Sequence, residues 1–190
     1  MRSTFLVGAM AAATCANAVN LVTNGDFESG NTGFTSGYTY VAPGANALIP
    51  PDVYTVDTSA GNSHPSFANF GDHTTGQGLY MIVNGSTTSG TNVWKQSINV
   101  VSGQLYSVSL WVANAFPDSP ATLSVSADSA LVLTGGPTGL GVWSQLSGTF
   151  TATSTGSIDL TIDNSNPAFT GNDFAIDDIK FLTGYNVEVV

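Results

Sequence analysis

Two short acidic motifs hold most of the residues in this sequence that could do chemistry. Asn24-Gly25-Asp26-Phe27-Glu28 lies near its start and Asp173-Phe174-Ala175-Ile176-Asp177-Asp178-Ile179 near its end. Each sets carboxylates beside apolar residues in a stretch that otherwise reads as a strand. A buried or half-buried carboxylate is costly unless a cation or several donors compensate it. The chain has 13 acidic residues against three basic ones, Arg2, Lys95 and Lys180, for a formal charge of −10. Two distant carboxylate clusters without ammonium partners point to a shared metal ion, and an all-oxygen ligand set points to Ca²⁺. The competing reading is that these acids cap turns or accept backbone N–H bonds without metal.

Little else suggests catalysis. Gly71-Asp72-His73-Thr74 puts an acid beside one of two histidines, the other being His64, with no triad or HExxH signature nearby. An Asp and a His in a glycine-rich turn read more simply as satisfying local backbone groups. The only glutamates, Glu28 and Glu188, sit near opposite ends, so no glycosidase pair stands out. The expectation is a non-catalytic protein. Asn84-Gly85-Ser86 is a glycosylation sequon, meaningful only in a eukaryotic source.

The elements that must position the acidic motifs are strands. Tyr106, Val108, Leu110 and Val112 share one face, with Ser107, Ser109, Trp111 and Ala113 on the other. Leu123, Val125 and Ala127 alternate with polar residues, as do Leu146 and Phe150, and then Ile158, Leu160 and Ile162. Ser102-Gly103, Pro117-Asp118, Gly135-Gly136-Pro137 and Thr155-Gly156 are turn signals between these runs. Short strands at this spacing predict an all-β fold, an antiparallel β-sandwich. Residues 29–78 are rich in Gly, Pro, Asn and aromatics, and read as loops with two or three short strands that partly cover one rim. Two of those strands are expected at Tyr38–Val41 and Val53–Val56. Asp26 and Glu28 would share one strand face, with Phe27 on the core side. The apolar phase slips by one residue at Asp177-Asp178, which predicts a bulge.

The N-terminus reads as a secretory signal. Arg2 precedes an apolar run from Phe5 to Ala13, and Ala16-Asn17-Ala18 fits a small-x-small cleavage pattern. This predicts a signal peptide over 1–18, a single domain over 19–190 and a secreted, extracellular protein. No apolar run is long enough to span a bilayer. Cys15 is the only cysteine, so the domain must be held by its core and, on the metal reading, by calcium. The acidic charge leaves no basic patch for nucleic acid or anionic membranes. Neutral glycans, divalent cations and cationic surfaces remain as partners.

The run Asn20-Leu21-Val22-Thr23-Asn24-Gly25-Asp26-Phe27-Glu28 resembles the opening strand of carbohydrate-binding modules of the family 4, 9 and 22 type, as also found in secreted bacterial proteins with a PEP-type sorting tail. Asn172 to Phe181 looks like the matching last strand. Val93-Trp94-Lys95-Gln96-Ser97-Ile98, then Gly103 to Val112, then Trp143 and Gly148-Thr149-Phe150-Thr151-Ala152 follow the same order. The resemblance implies a galactose-binding-domain-like jelly roll whose first and last strands lie together. It also implies a structural Ca²⁺ held by Asp26, Glu28 and Asp177, beside Asp178, with backbone carbonyls completing the shell.

Sugars are gripped by aromatic faces flanked by hydrogen-bonding side chains. Trp111 lies among serines on the face opposite Tyr106, Val108 and Leu110, and is the first aromatic candidate. Trp94, Tyr38 and Tyr54 are further candidates, although Trp94 shares its face with Ile98 and Val100 and also reads as core. The sequence therefore describes a secreted carbohydrate-binding module with a polysaccharide or glycan partner and a structural calcium site. The alternative is an extracellular matrix, surface or filament-forming protein with calcium-dependent stability or self-association.

Overall fold

The computed structural model describes residues 18–184; the signal-peptide reading lies almost wholly outside them. Ten strands form two sheets. They are β1 (Thr39–Tyr40), β2 (Val53–Asp57), β3 (Tyr80–Asn84), β4 (Thr91–Val100), β5 (Leu105–Asn114), β6 (Leu123–Ala127), β7 (Ala130–Gly135), β8 (Ser144–Thr151), β9 (Gly156–Asn164) and β10 (Phe174–Thr183). One short helix, α1 (Ala60–Ser63), interrupts the segment between β2 and β3. The larger sheet has the order β1-β2-β3-β10-β5-β8 and the smaller one β4-β9-β6-β7. All pairs are antiparallel except β1 with β2. From β3 onward the chain keeps passing between the sheets, and only β6 and β7 are consecutive neighbours. The fold is the β-sandwich expected from the period-two pattern.

Between the sheets lies a core of alternating side chains. Tyr106, Val108, Leu110 and Val112 of β5 meet Leu123, Val125 and Ala127 of β6 and Ile158, Leu160 and Ile162 of β9. The face assignments made from alternation hold for all three strands. Trp94 is fully buried in this core, stacked against Phe34 at 6.3 Å between ring centroids. A bulge interrupts the β10–β5 register between Asp177 and Lys180, where the phase slip placed it, and Asp178 there has φ +48°.

Two features differ from the sequence reading. Asn24 to Glu28 is a turn, not a strand: Asn24 and Phe27 have φ +55° and +56°, and Phe27 N–H donates to the Asn24 carbonyl at 3.2 Å. The Asn24 side chain fixes it, its amide donating to the carbonyls of Gly30 and Thr32 and its oxygen accepting from Ser29 N–H. Phe27 is nonetheless fully buried, because the turn aims it into the core. The second difference concerns residues 41–79. They do more than border a rim: they build a second hydrophobic cluster on the outer face of the large sheet. Leu48, Ala60 and Phe67 pack there against Val53, Tyr80, Ile82 and Ala175, with Phe70 and Trp143 alongside.

A buried polar network ties down one end of the sandwich. Asn164 and Asn172 are hydrogen-bonded side chain to side chain, Asn172 Nδ2 donates to the Ser86 carbonyl, and the Tyr38 hydroxyl accepts Ser86 N–H. Asp173 Oδ1 accepts Gly85 N–H at 2.9 Å. Burial pushes the Asp173 carboxyl up to about 6, against the lowering effect of that N–H. Between the unfolded value near 3.8 and this one, the native state keeps a proton that the unfolded chain has released, so stability falls as pH rises through that window. The melting temperature is expected to rise on acidification from about pH 7 to about pH 5. Asp173→Asn, which keeps an acceptor for Gly85, should flatten part of that slope in a calorimetric pH series.

Candidate functional site

The ends of the described chain run together. Leu21 N–H donates to the Phe181 carbonyl at 2.9 Å, and Asn20 Oδ1 accepts Phe181 N–H at 2.9 Å. Gly25 sits at the closest approach: its carbonyl accepts Ile179 N–H at 2.9 Å, and a Cβ there would collide with the Ile179 carbonyl oxygen. The two acidic motifs therefore meet, as expected of first and last segments.

Each acid then finds its own donors. Glu28 Oε1 accepts Leu79 N–H at 2.9 Å, while Asp26 Oδ1 makes only a long 3.5 Å contact with Glu28 N–H. Asp177 is fully buried and takes the N–H groups of His73 at 2.8 Å and Asp178 at 2.8 Å. Burial raises its carboxyl to about 7, and the charges of Asp178 and Asp72 push the same way. Asp178 Oδ2 lies 2.6 Å from His73 Nδ1, and Lys180 Nζ approaches its other oxygen at 3.5 Å. An ionised carboxylate only accepts, so His73 donates from Nδ1. Among the described residues, no three His, Cys, Asp or Glu side chains are grouped closely enough to hold a metal by themselves.

Asp72 and His73 join the site although the sequence reading treated them as local turn formers. For Asp72 that reading is right. Its carboxylate accepts Thr75 N–H at 2.7 Å, Gly78 N–H at 2.6 Å and the Thr75 hydroxyl at 3.1 Å. Burial opposes ionisation there, but these donors outweigh it and hold the carboxyl below its ordinary value. His73 instead reaches across to β5 and stacks on Trp111, with ring centroids 3.8 Å apart and planes 15° from parallel. The turn carrying both is tied to the sheet where Trp143 Nε1 donates to the Gly71 carbonyl at 2.9 Å and the Tyr80 hydroxyl to the Phe70 carbonyl at 2.7 Å. The only advance signal was an acid beside one of two histidines in a glycine-rich stretch.

Trp111 points outward from the large sheet, as alternation required, and is half-buried because His73 covers one side. Its cross-strand neighbours are Asp177 on β10 and Gln145 on β8. The next outward row is Lys180, Ser109 and Ser147, followed by Leu182, Ser107 and Thr149. The outer face is thus divided: β2, β3 and the start of β10 lie under residues 41–79, while β5, β8 and the end of β10 present a strip of hydroxyl, amide and ammonium groups with Trp111 at its edge. The other aromatic candidates are corrected. Trp94 has no exposed surface, and its Nε1–H has no partner among the described residues. Tyr38 and Tyr54 are buried, Tyr54 donating its hydroxyl to Asn31 Oδ1 at 2.7 Å. All three point into the core between the sheets, where Phe34 lies against Tyr54 and Trp94, so none of them presents a face to a ligand.

No family model matches the sequence, and no curated protein matches it. Solved structures share its fold. The xylan-binding CBM22-1 domain of Xyn10C from Paenibacillus barcinonensis is similar over 90% of this chain and 97% of its own, with TM-score 0.55 and 15% identity. TmCBM61, solved with β-1,4-galactotriose, is similar over 87% and 99%, with TM-score 0.57 and 16% identity. The Stig cyclase Fisc from Fischerella sp. TAU, solved with an indole derivative, is similar over 89% and 99%, with TM-score 0.59 and 14% identity. The chain has the β-sandwich of carbohydrate-binding modules, as its resemblance implied. Cyclases share that sandwich, so the fold alone selects neither ligand nor chemistry.

The turn at Asp72 supports both His73 and the Gly78–Leu79 backbone that receives Glu28. Removing its acceptor leaves two N–H groups without partners. Asp72→Ala is expected to lower stability by about 1–3 kcal/mol in urea denaturation.

Proposed function

We propose that this chain is a non-catalytic glycan-binding module whose ligand surface is the open strip of the large sheet beside Trp111. The observation that carries the reading is the composition of that strip. An indole with part of its surface exposed borders Gln145, Ser109, Ser147 and Lys180, which pairs an apolar platform for sugar C–H groups with planar and hydroxyl hydrogen-bonding groups. The shared fold with xylan-binding and galactotriose-binding modules supports it. On this reading the protein is exported by a leader ending at Ala18 and acts on extracellular polysaccharide.

The test is retention on immobilised xylan and β-1,4-galactan, followed by a glycan array. Trp111→Ala is expected to weaken binding about 10-fold or more, equivalent to about 1.4 kcal/mol, with the melting temperature preserved. Unchanged binding by that variant would remove the strip as the site. Absence of glycan binding together with calcium-dependent polymerisation would favour a matrix role.

We also propose a structural Ca²⁺ where the two acidic motifs meet, with Asp26, Glu28, Asp177 and Asp178 as its carboxylates and backbone carbonyls supplying the remaining oxygens. The donor set supports this: Asp177 is fully buried with no ammonium beside it, and Glu28 and Asp72 flank the space that Gly78 leaves by lacking a side chain. Bound calcium would add stability by favouring the folded state alone. A chelator is expected to lower the melting temperature of the wild type and to have no effect on Asp177→Ala. A wild-type melting curve indifferent to chelator and to added Ca²⁺ would refute the proposal.

A further inference from the structure

At the end of the sandwich tied by the asparagine network, loops border an open pocket of ≈ 220 Å³ that the glycan reading does not use. Its walls include Ile49, His64, Phe67, Phe116 and Phe169, and Asp173 opens into it. The volume is below that of a drug-sized pocket and suits a small group. His64 stacks on Phe67, with centroids 4.2 Å apart and planes at 26°. Phe169 is 79% exposed, although the loop that carries it is well braced. Asn166 Nδ2 donates to the carbonyls of Ser119 and Pro120, and Asn166 Oδ1 accepts Ala168 N–H. Gly171, at φ +84°, lies where a Cβ would strike the Asp118 carbonyl oxygen. An exposed phenyl ring on a loop held this firmly has no evident role in folding.

The one charged group lining the pocket is the Asp173 carboxylate. Asp173 is 7% exposed; its Oδ1 is engaged by Gly85 N–H, and its Oδ2 takes no hydrogen bond among the described residues. The side-chain amide of Asn84, also in the wall, already donates to the Leu48 carbonyl at 2.6 Å. His64 accepts Ser66 N–H at Nδ1, which leaves its proton on Nε2, and burial lowers its pKa. At neutral pH it is therefore an uncharged ring. Lys95 is paired with Asp159 at 2.6 Å and Lys180 lies beside Asp178, so neither compensates Asp173. A largely buried carboxylate in an aromatic-lined pocket, with one oxygen unengaged and no cation beside it among the described residues, is complementary to an external cation.

We propose that this cavity binds an organic ammonium group, seated on Asp173 among the ring faces of Phe169, Phe116 and His64. The site is separate from the strip beside Trp111 and does not depend on it. The probes are choline, its neutral carbon isostere 3,3-dimethyl-1-butanol, and glucose. Each is titrated into the full chain at constant ionic strength and followed by the amide resonances of Thr170 and Gly171.

Choline is expected to saturate in the low millimolar range and to bind at least about 10-fold more tightly than the isostere. Asp173→Asn, which keeps an acceptor for Gly85, should abolish that preference. Phe169→Ala changes only an exposed loop tip, so it tests the site independently of folding, and it should weaken choline about 3- to 10-fold. Equal affinity for choline and the isostere, tighter binding of glucose, a preference that survives in Asp173→Asn, unchanged choline affinity in Phe169→Ala, or no response by about 100 mM choline would each overturn the proposal.

Discussion

The architecture depends on three strands that must bury both of their faces. Tyr80-Met81-Ile82-Val83 of β3 is apolar at every position, with Met81 and Val83 in the core between the sheets and Tyr80 and Ile82 on the far side. Val53 of β2 and Ala175 of β10 extend that second apolar surface. Left open it would be a hydrophobic patch on a chain otherwise held apart by its charge. Residues 41–79 cover it, and their course follows from that need. The same covering layer brings His73 to Trp111 and leaves β5 and β8, whose outward residues are mostly Ser, Thr and Gln, facing water. The boundary between covered and open sheet is where apolar outward residues give way to polar ones, and Trp111 stands on it.

A second constraint is the shortage of cations. With so few lysines, these acids rely on backbone N–H groups, and this fixes the loops around them. Asp72 shapes its own turn, Glu28 reaches Leu79, Asp173 holds Gly85 and Asp177 holds His73. A carboxylate that collects backbone donors in this way joins segments far apart in sequence without a disulfide. The arrangement leaves Asp177 and Asp173 with carboxyls raised toward neutrality, because one or two N–H groups only partly offset burial.

Much of this was legible in the sequence where a local pattern determines the outcome. Alternation identified the inward faces of β5, β6 and β9, and a one-residue slip marked the bulge at Asp177-Asp178. The meeting of the two acidic motifs followed from resemblance and was borne out by the contact between Gly25 and Ile179. What was not legible depended on long-range packing. Asp26 and Glu28 look like strand neighbours, yet Asn24 turns the chain by hydrogen-bonding its own loop. Tyr38 and Tyr54 look like loop aromatics, yet both point into the core between the two sheets. His73 looked like a turn residue because its partners, Trp111 and Asp178, are 38 and 105 positions away.

The two surfaces differ in the sign of their charge, and this difference separates their ligands more firmly than the fold does. The strip on β5, β8 and the end of β10 carries hydroxyls, an amide and the Lys180 ammonium, groups that donate as well as accept, which suits a neutral polyhydroxyl chain lying across a flat face. The pocket at the end of the sandwich has aromatic residues around a carboxylate that is its one charged group. A cation there meets an opposite charge that a neutral sugar would not use. One sandwich can therefore carry two recognition surfaces, because its strands and its loops are decorated under different constraints: outward strand positions by solubility and pleat, and loop positions by the asparagine network that holds Phe169 and Asp173 in place.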